Sequence, residues 1–258
     1  MKLSNKVMVS VIMPNYNSEK FIAEAIKSVL EQSYKLLELI VIDDCSIDNS
    51  LSIIKSLMQT DSRITLIALK KNIGPGLARN EGLKVAAGKY ITFLDSDDLW
   101  VLNKLETQIL IMEKLSLPVT HTDYGYINSK GKISSKIFET SNFEVGFRDL
   151  LKRTEISCLT IIYNKEIVGK HLFPNLNRKQ DYVVWLDILK KGYKSTPLHF
   201  VSGYYRQQSA KKTFKRLGYV FSHFKLLRSD YVGLNIVESV FFTILYFTNG
   251  VIRYLKFI

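Results

Sequence analysis

The stretch VMVSVIMPNYNSEKFIAEAIKSVLEQSYKLLELIVIDD, residues 7–44, decides the fold. Val7–Met13 is a continuous apolar, largely β-branched run, the pattern of a strand buried on both faces. Pro14-Asn15-Tyr16-Asn17-Ser18 breaks it. Phe21, Ile22, Ala25, Ile26, Val29 and Leu30 then recur at helical spacing, with Asn17 or Ser18 available as an N-cap. Leu37–Ile42 is a second buried run and ends at Asp43-Asp44. The alternation continues downstream. Asp48 or Asn49 can cap a helix lined by Leu51, Ile54, Leu57 and Met58, and Ile64–Leu69 reads as a third strand. Gly74-Pro75-Gly76 opens a helix through Ala87, with Gly88 as its C′ residue, and Lys89–Leu94 is a fourth strand ending at Asp95-Ser96-Asp97-Asp98. Strands alternating with helices in this way predict an α/β fold with a doubly wound, mostly parallel central sheet flanked by helices.

Beyond residue 100 the pattern is less regular. It predicts a helix over Trp100–Leu115, a hairpin of Val119–Ile127 with Lys132–Phe138, a strand over Ile156–Tyr163 and a helix over Asp181–Lys191. Two amphipathic helices, roughly 210–230 and 235–256, end the chain. No internal repeat or flexible linker interrupts it, so the expectation is one body with a C-terminal helical appendage. The division is a region over 1–205, falling into a regular half (1–100) and a less regular half (101–205), followed by a basic tail over 206–258.

Of 258 residues, 47% are hydrophobic and 23% charged, enough apolar material for a real core and too much for a disordered chain. Five prolines and thirteen glycines exclude collagen-like and low-complexity classes. Cys45 and Cys158 are far apart and form no metal-ligand spacing, which reads as free thiols in a reducing compartment. The first ten residues run straight into a strand pattern and fit no signal peptide. From Arg206 onward nine basic residues face two acidic ones, a net +7 of the chain's +12. Such an excess suits a phosphate-rich partner, nucleic acid or anionic lipid.

Parallel α/β sheets bind ligands at the carboxyl ends of their strands, and the unusual polar residues gather there. Asp95-Ser96-Asp97 places two carboxylates on the same side of an extended chain, a geometry suited to a hard cation such as Mg²⁺ or Mn²⁺ shared with substrate phosphates. A solvated loop capping the next helix is the plainer alternative. Asp43-Asp44 can accept hydrogen bonds from a base or ribose, or form a turn and cap. Tyr16 can stack on a nucleobase, or lie in the core. Arg79 suits a diphosphate, or a surface ion pair. Asp181, four residues before Trp185, is either a general base facing the strand ends or an acid favoured by the helix dipole. No G-x-G-x-x-G, P-loop, nucleophile elbow or histidine metal motif is present.

Together these segments resemble the family 2 inverting glycosyltransferases of GT-A fold, in particular bacterial members that build O-antigen, capsule or lipooligosaccharide. VSVIMPNYNSEKFIAEAIKSVLEQSY (9–34), ELIVIDDCSID (38–48), NIGPGLARNEGLKVAAGKYITFLDSDDLW (72–100) and QDYVVWLDILKKGYK (180–194) carry the resemblance. It implies that Pro14 and Tyr16 line a nucleobase pocket, that Asp44 contacts the base and that Arg79 lies near the nucleotide diphosphate. Asp95 and Asp97 match the D-x-D motif, with Asp97 the direct ligand of Mn²⁺ or Mg²⁺, and Asp181 matches the catalytic base. Gln180 departs from the glutamate common before that base. The implied substrates are a nucleotide-sugar donor, by resemblance a UDP-sugar, and a glycan or lipid-linked acceptor. A sugar-phosphate nucleotidyltransferase would want a glycine-rich loop after the first strand, which PNYNSEK lacks. A catalytically silent membrane or nucleic-acid binder would not need the acidic set.

Residues 239–252 carry no charge, and at fourteen residues they fall short of the ~20 that span a bilayer. Upstream, KKTFKR and FKLLR interleave bases with apolar residues. This predicts helices lying on an anionic membrane, on the cytoplasmic face of the inner membrane where donor sugars are made, against the alternative that both helices pack on the catalytic region.

Overall fold

Val9–Asn15 forms β1, and all seven of its residues are buried. The computed structural model describes residues 8–207 and 216–256. After α1 (Ile22–Leu30) come β2 (Leu37–Asp43), α2 (Ser50–Thr60), β3 (Ile64–Ala68), α3 (Pro75–Val85) and β4 (Tyr90–Phe93). β2 and β4 flank β1 in parallel, and β3 edges β2, giving the order β3-β2-β1-β4. Neighbouring residues of β1 supply different layers. Val9, Val11 and Met13 pack with Ile22, Ile26 and Val29 of α1, whereas Ile12 packs with Ala78 and Leu83 of α3. That double burial is why the strand reads as one unbroken apolar run. α3 lies close on the sheet through Gly82, where a Cβ would meet Ile42 Cδ1 at 2.8 Å and Ile12 Cγ2 at 2.9 Å.

The sheet continues through later elements: β5 (Leu99–Trp100), α4 (Lys104–Leu115), β6 (Val119–Asn128), β7 (Ile133–Phe138), α5 (Phe147–Lys152), β8 (Ile162–Asn164), α6 (Lys165–Val168), α7 (Gln180–Lys190) and β9 (Ser195–Gln207). Past β4 the order is β8-β6-β9-β5, with β7 on β6. The pairs β4–β8, β6–β8, β6–β7 and β5–β9 are antiparallel, and β6–β9 is parallel. The parallel expectation therefore holds for the first four strands, and the rest of the sheet is mixed.

Several local expectations change. The Asn17 and Ser18 side chains do not cap α1. Asn17 Oδ1 accepts from the Ile47 amide, and Ser18 Oγ bonds Ser96 Oγ at 2.7 Å, so both tie loops together. Asp48 does serve α2, accepting from Ser50 N at 2.9 Å. Gly88 is required by packing rather than as a helix C′ residue, since a Cβ would come within 2.6 Å of Ser10 N. Trp100 belongs to β5, and its helix begins at Lys104. The strand placed over Ile156–Tyr163 shrinks to β8, and β9, unforeseen in the sequence, is the longest strand.

The chain ends in α8 (Arg216–Arg228) and α9 (Ile236–Lys256). Val7 and residues 208–215, which include Lys211, Lys212 and Lys215 of the basic stretch, lie outside the described residues. α9 packs on α5 and α8, and Leu227, Val232 and Phe242 join the core of α7. Ser239, Phe242 and Thr243 are buried, while Val237, Val240, Phe241, Ile244, Val251 and Ile252 form an exposed apolar stripe along the other side. Among the described residues no helix is long and apolar enough to cross a membrane.

Arg206, counted with the basic tail in the sequence, is instead buried at the end of β9. Its backbone N–H donates to Asp98 Oδ1 at 2.7 Å and its Nε to the Asp97 carbonyl at 2.6 Å, while Nη2 pairs with Glu24 at 2.8 Å. Its guanidinium also lies 4.5 Å from the centre of the Phe21 ring. One side chain thus fixes the loop after β4 against α1. Arg206→Ala removes this buried cation and should cost on the order of 3 kcal/mol of stability. Calorimetry should then show a melting temperature lower by roughly 6–12 °C; an unchanged transition would contradict the assignment.

Candidate active site

Strand order reverses at β1, whose neighbours β2 and β4 leave a crevice beyond their carboxyl ends. A cleft of about 1170 Å³ opens there. Pro14, Tyr16, Asp44, Arg79, Asp95, Asp97 and Asp181 all line it, so residues spread over 168 positions of sequence meet in one place.

On the β1 side, Tyr16 is 48% exposed, which excludes the core alternative and leaves a ring face open to the cleft. Asn15 is buried and donates from Nδ2 to Asp43 Oδ1 at 2.7 Å, leaving its own Oδ1 without a partner in the protein. Asp43 serves structure, accepting also from Ser46 Oγ. Asp44 is buried, and its two oxygens accept from Ile73 N at 2.7 Å and Gly74 N at 2.8 Å. It therefore shapes the turn into α3, where Gly74 has a φ of 86°, a conformation disfavoured for other residues. The turn role weighed in the sequence is real, and Asp44 still borders the cleft.

On the β4 side, Arg79 of α3 is buried and ion-paired with Asp95. This is a site pair at the cleft floor and not the surface ion pair weighed as an alternative. The guanidinium also lies 5.3 Å from the centre of the Phe173 ring, and Nε has no protein partner. Burial works against its charge, but Asp95 and Asp181 outweigh it and keep it cationic. Asp98 is buried behind Asp95 and Asp97. Burial and then those two neighbours push its carboxyl well above the usual range, against the pull of Arg206.

Across the cleft, α7 begins at Gln180 and presents Asp181, while Trp185 is buried against Phe93 and Phe173. Trp185 is thus in the core, as the plainer reading of this segment had it, and Asp181 lines the cleft. α7 reaches the site because Gly76 of α3 lets it approach: a Cβ there would meet Gln180 Cγ at 3.0 Å. Burial raises the Asp181 carboxyl above its ordinary value and Arg79 pulls it back, so it is a stronger base than a solvated aspartate. The Cys158 thiol beside it is pushed up by burial and held protonated.

Among the described residues no group of three or more His, Cys, Asp or Glu converges on one metal position. A pair of strand-end carboxylates nonetheless fits Mg²⁺ or Mn²⁺, which retain waters and complete their shells with substrate phosphates. Asp95 is engaged by Arg79, and both Asp95 and Asp97 line the cleft. Tyr205, 45% exposed, lines the cleft and escaped the sequence reading, as did the hold of Arg206 on the Asp97 loop. Their signal was the strand pattern of β9, which Pro197, Gly203 and scattered polar residues obscured.

Comparison with known proteins gives a consistent result. The glycosyl transferase family 2 profile, "Glycosyl transferase family 2", matches residues 10–172. The chain is 40% identical over 183 residues to the UDP-Glc:alpha-D-GlcNAc-diphosphoundecaprenol beta-1,3-glucosyltransferase WfgD of Escherichia coli, covering 71% of this chain and 70% of that protein. It is 34% identical over 249 residues to WfaP of the same species, which carries the same activity in its name, covering 96% and 95%. Among solved structures, S. aureus TarS 1-349 in complex with UDP-GlcNAc superposes with a TM-score of 0.66 at 25% identity, covering 90% of this chain and 69% of that one. With a profile match over most of its length and relatives aligned along nearly all of it, the chain belongs to glycosyl transferase family 2.

Proposed function

We propose that this glycosyltransferase moves a sugar from a UDP-sugar to a glycan or lipid-linked acceptor in bacterial surface-polysaccharide synthesis, with inversion at the anomeric carbon. The observation that carries the reading is the cleft itself: a nucleotide-sized set of groups at the ends of β1, β2 and β4 faces a single raised carboxylate on α7. The names of WfgD and WfaP, which specify a UDP-Glc donor and a diphosphoundecaprenol-linked acceptor, support the substrate classes.

In this reading residues 1–100 bind the nucleotide and 101–205 face the acceptor. Tyr16 stacks on the base beside Pro14, and Asn15 Oδ1 and the rim of Asp44 accept its N–H groups. Arg79 and Asp95 set the charge at the diphosphate. Asp97, with Asp95, would hold Mn²⁺ or Mg²⁺, which when bound supplies Lewis-acid stabilisation of the departing diphosphate. Asp181 accepts the proton of an acceptor hydroxyl as that oxygen bonds to the anomeric carbon. The carbon–oxygen bond to the diphosphate breaks, and its electron pair leaves with UDP. A single displacement from one face inverts the configuration, so an α-linked donor gives a β-linkage.

A lipid-linked acceptor also explains α9. Its exposed stripe of Val237, Val240, Phe241, Ile244, Val251 and Ile252 is one helical face, and the tail that carries it is strongly basic. Apolar side chains flanked by cations suit the interface of an anionic membrane, here the cytoplasmic face of the inner membrane. The opposite face of α9 packs on the protein, the alternative weighed in the sequence, and in this reading the exposed face meets the membrane.

Three outcomes follow. Asp97→Asn should abolish Mn²⁺-dependent UDP binding in calorimetric titration while leaving the melting temperature unchanged; wild-type affinity with Mn²⁺ would refute its role. Asp181→Asn should bind UDP normally yet lose on the order of 10²–10⁴ in turnover; normal turnover would place the base elsewhere. The full chain should sediment with phosphatidylglycerol vesicles at low salt, and Phe241→Ser with Ile244→Ser should remain in the supernatant. A wild type that ignores vesicles, or that runs as a dimer through this face, would overturn the membrane assignment.

A further inference from the structure

The residue that opens α7 is in an unusual state. Lys179, the N-cap, has a φ of 61°, a left-handed conformation rare for a residue with a long side chain. Such strain persists only where the surroundings over-determine it. Here they do. Lys179 Nζ donates to His223 Nδ1 of α8 at 2.8 Å and lies 4.4 Å from the centre of the Tyr246 ring of α9. Tyr182 of α7 is on a further side, 5.5 Å from Nζ to ring centre. The His223 and Tyr246 rings are themselves stacked, with centroids 4.0 Å apart. One residue earlier, Arg178 donates to Tyr219 Oη of α8 at 2.6 Å. Tyr246 is in turn held by Thr154 at 2.6 Å, beyond the end of α5. The two side chains immediately before α7 are thus latched to the C-terminal helices.

We propose that Lys179 is a positioning residue for Asp181, and that through it α8 and α9 fix the first turn of α7 and the carboxylate that this turn presents to the cleft. The proposal rests on the reading of Asp181 as the base. Its chemistry is specific to a cation. An ammonium donor to Nδ1 leaves the buried imidazole neutral with its proton on Nε2. Burial and Lys179 hold His223 far down, to about 3, so the ring stays an acceptor throughout the working range. Burial lowers Lys179 to about 8, with Asp181 pulling upward, so it remains largely charged at neutral pH. The Lys179 carbonyl accepts from Val183 N at 3.2 Å, which passes the fixed backbone directly into the helix. A helix pair that meets the membrane on one face would then hold the catalytic carboxylate with the other.

The test compares Lys179→Met, His223→Leu, His223→Asn and Tyr246→Leu in the full chain. The readouts are UDP release from UDP-glucose with a GlcNAc-diphospho-polyprenol acceptor, UDP affinity with Mn²⁺, and hydrogen exchange of the 180–184 amides. Misplacing a reacting group by about an ångström costs on the order of 10²-fold in rate. Lys179→Met and His223→Leu should therefore lose turnover by roughly 10- to 100-fold, keep UDP affinity and exchange faster at 180–184. His223→Asn, whose Oδ1 replaces Nδ1 as acceptor, should retain most of the turnover. Lys179→Met with Tyr246→Leu should lose no more than the worse single variant. Unchanged exchange at 180–184, or UDP affinity and turnover falling together, or His223→Asn failing as badly as His223→Leu, would overturn the proposal. A wild type inert toward this acceptor and UDP-glucose would count against the substrate reading alone, because exchange at 180–184 decides the latch without turnover.

Discussion

The Arg79–Asp95 ion pair is the interaction on which the rest of the site depends. It joins α3 to the end of β4 at the point where strand order reverses, with the guanidinium buried and the carboxylate partly open to the cleft. A buried guanidinium without such a partner would cost several kcal/mol. The pair also fixes the charge balance around it. Asp181 feels Arg79 from one side and Asp95 from the other, and Cys158 sits in the same field. The cation is satisfied on one edge by Asp95 while Nε remains unpartnered, which leaves a donor beside the cleft. In the proposed mechanism that donor would face the diphosphate.

The mixed half of the sheet serves that pair. β8 continues the sheet beside β4, and β9 returns alongside β6 so that Arg206 grips the loop of Asp97 and Asp98. α7 then closes the cleft from the far wall, and the C-terminal helices reach its first residues through Lys179 and Arg178. The β1–β4 side of the cleft is therefore held by the parallel sheet, and the α7 side by packing between helices. The first is rigid by hydrogen bonding, the second by side-chain contacts spread over α5, α7, α8 and α9. Catalysis by positioning needs both.

The parallel half was legible because local physics suffices for it. A strand buried on both faces must be continuously apolar, as β1 and β2 are, and polar residues that follow such strands must sit at one edge of the sheet. Pro14, Tyr16, Asp44, Arg79, Asp95, Asp97 and Asp181 were all placed in one cleft on that basis and on family resemblance. β9 was not legible. Its pairing with β5 demands Gly203, where a Cβ would fall 2.5 Å from the Leu99 carbonyl oxygen, and it buries Arg206 among partners from three distant segments. No periodicity encodes a strand whose requirements come from tertiary neighbours. Gly88 misled for the same reason: it looks like a helix terminator, and its real constraint is the backbone of Ser10. The exposed stripe of α9 was readable as amphipathic, but which face it buries depends on α5 and α8.

The central claim is that one carboxylate on α7 acts as base across the cleft from the leaving diphosphate, with no covalent sugar–enzyme intermediate. The anomeric configuration of the product tests it most directly. With an α-linked UDP-sugar that the enzyme uses, proton NMR of the isolated product should show the large H1–H2 coupling of a β-linkage for a gluco-configured sugar. An α-linked product, formed with retention, would require a nucleophile that this account does not contain and would contradict it.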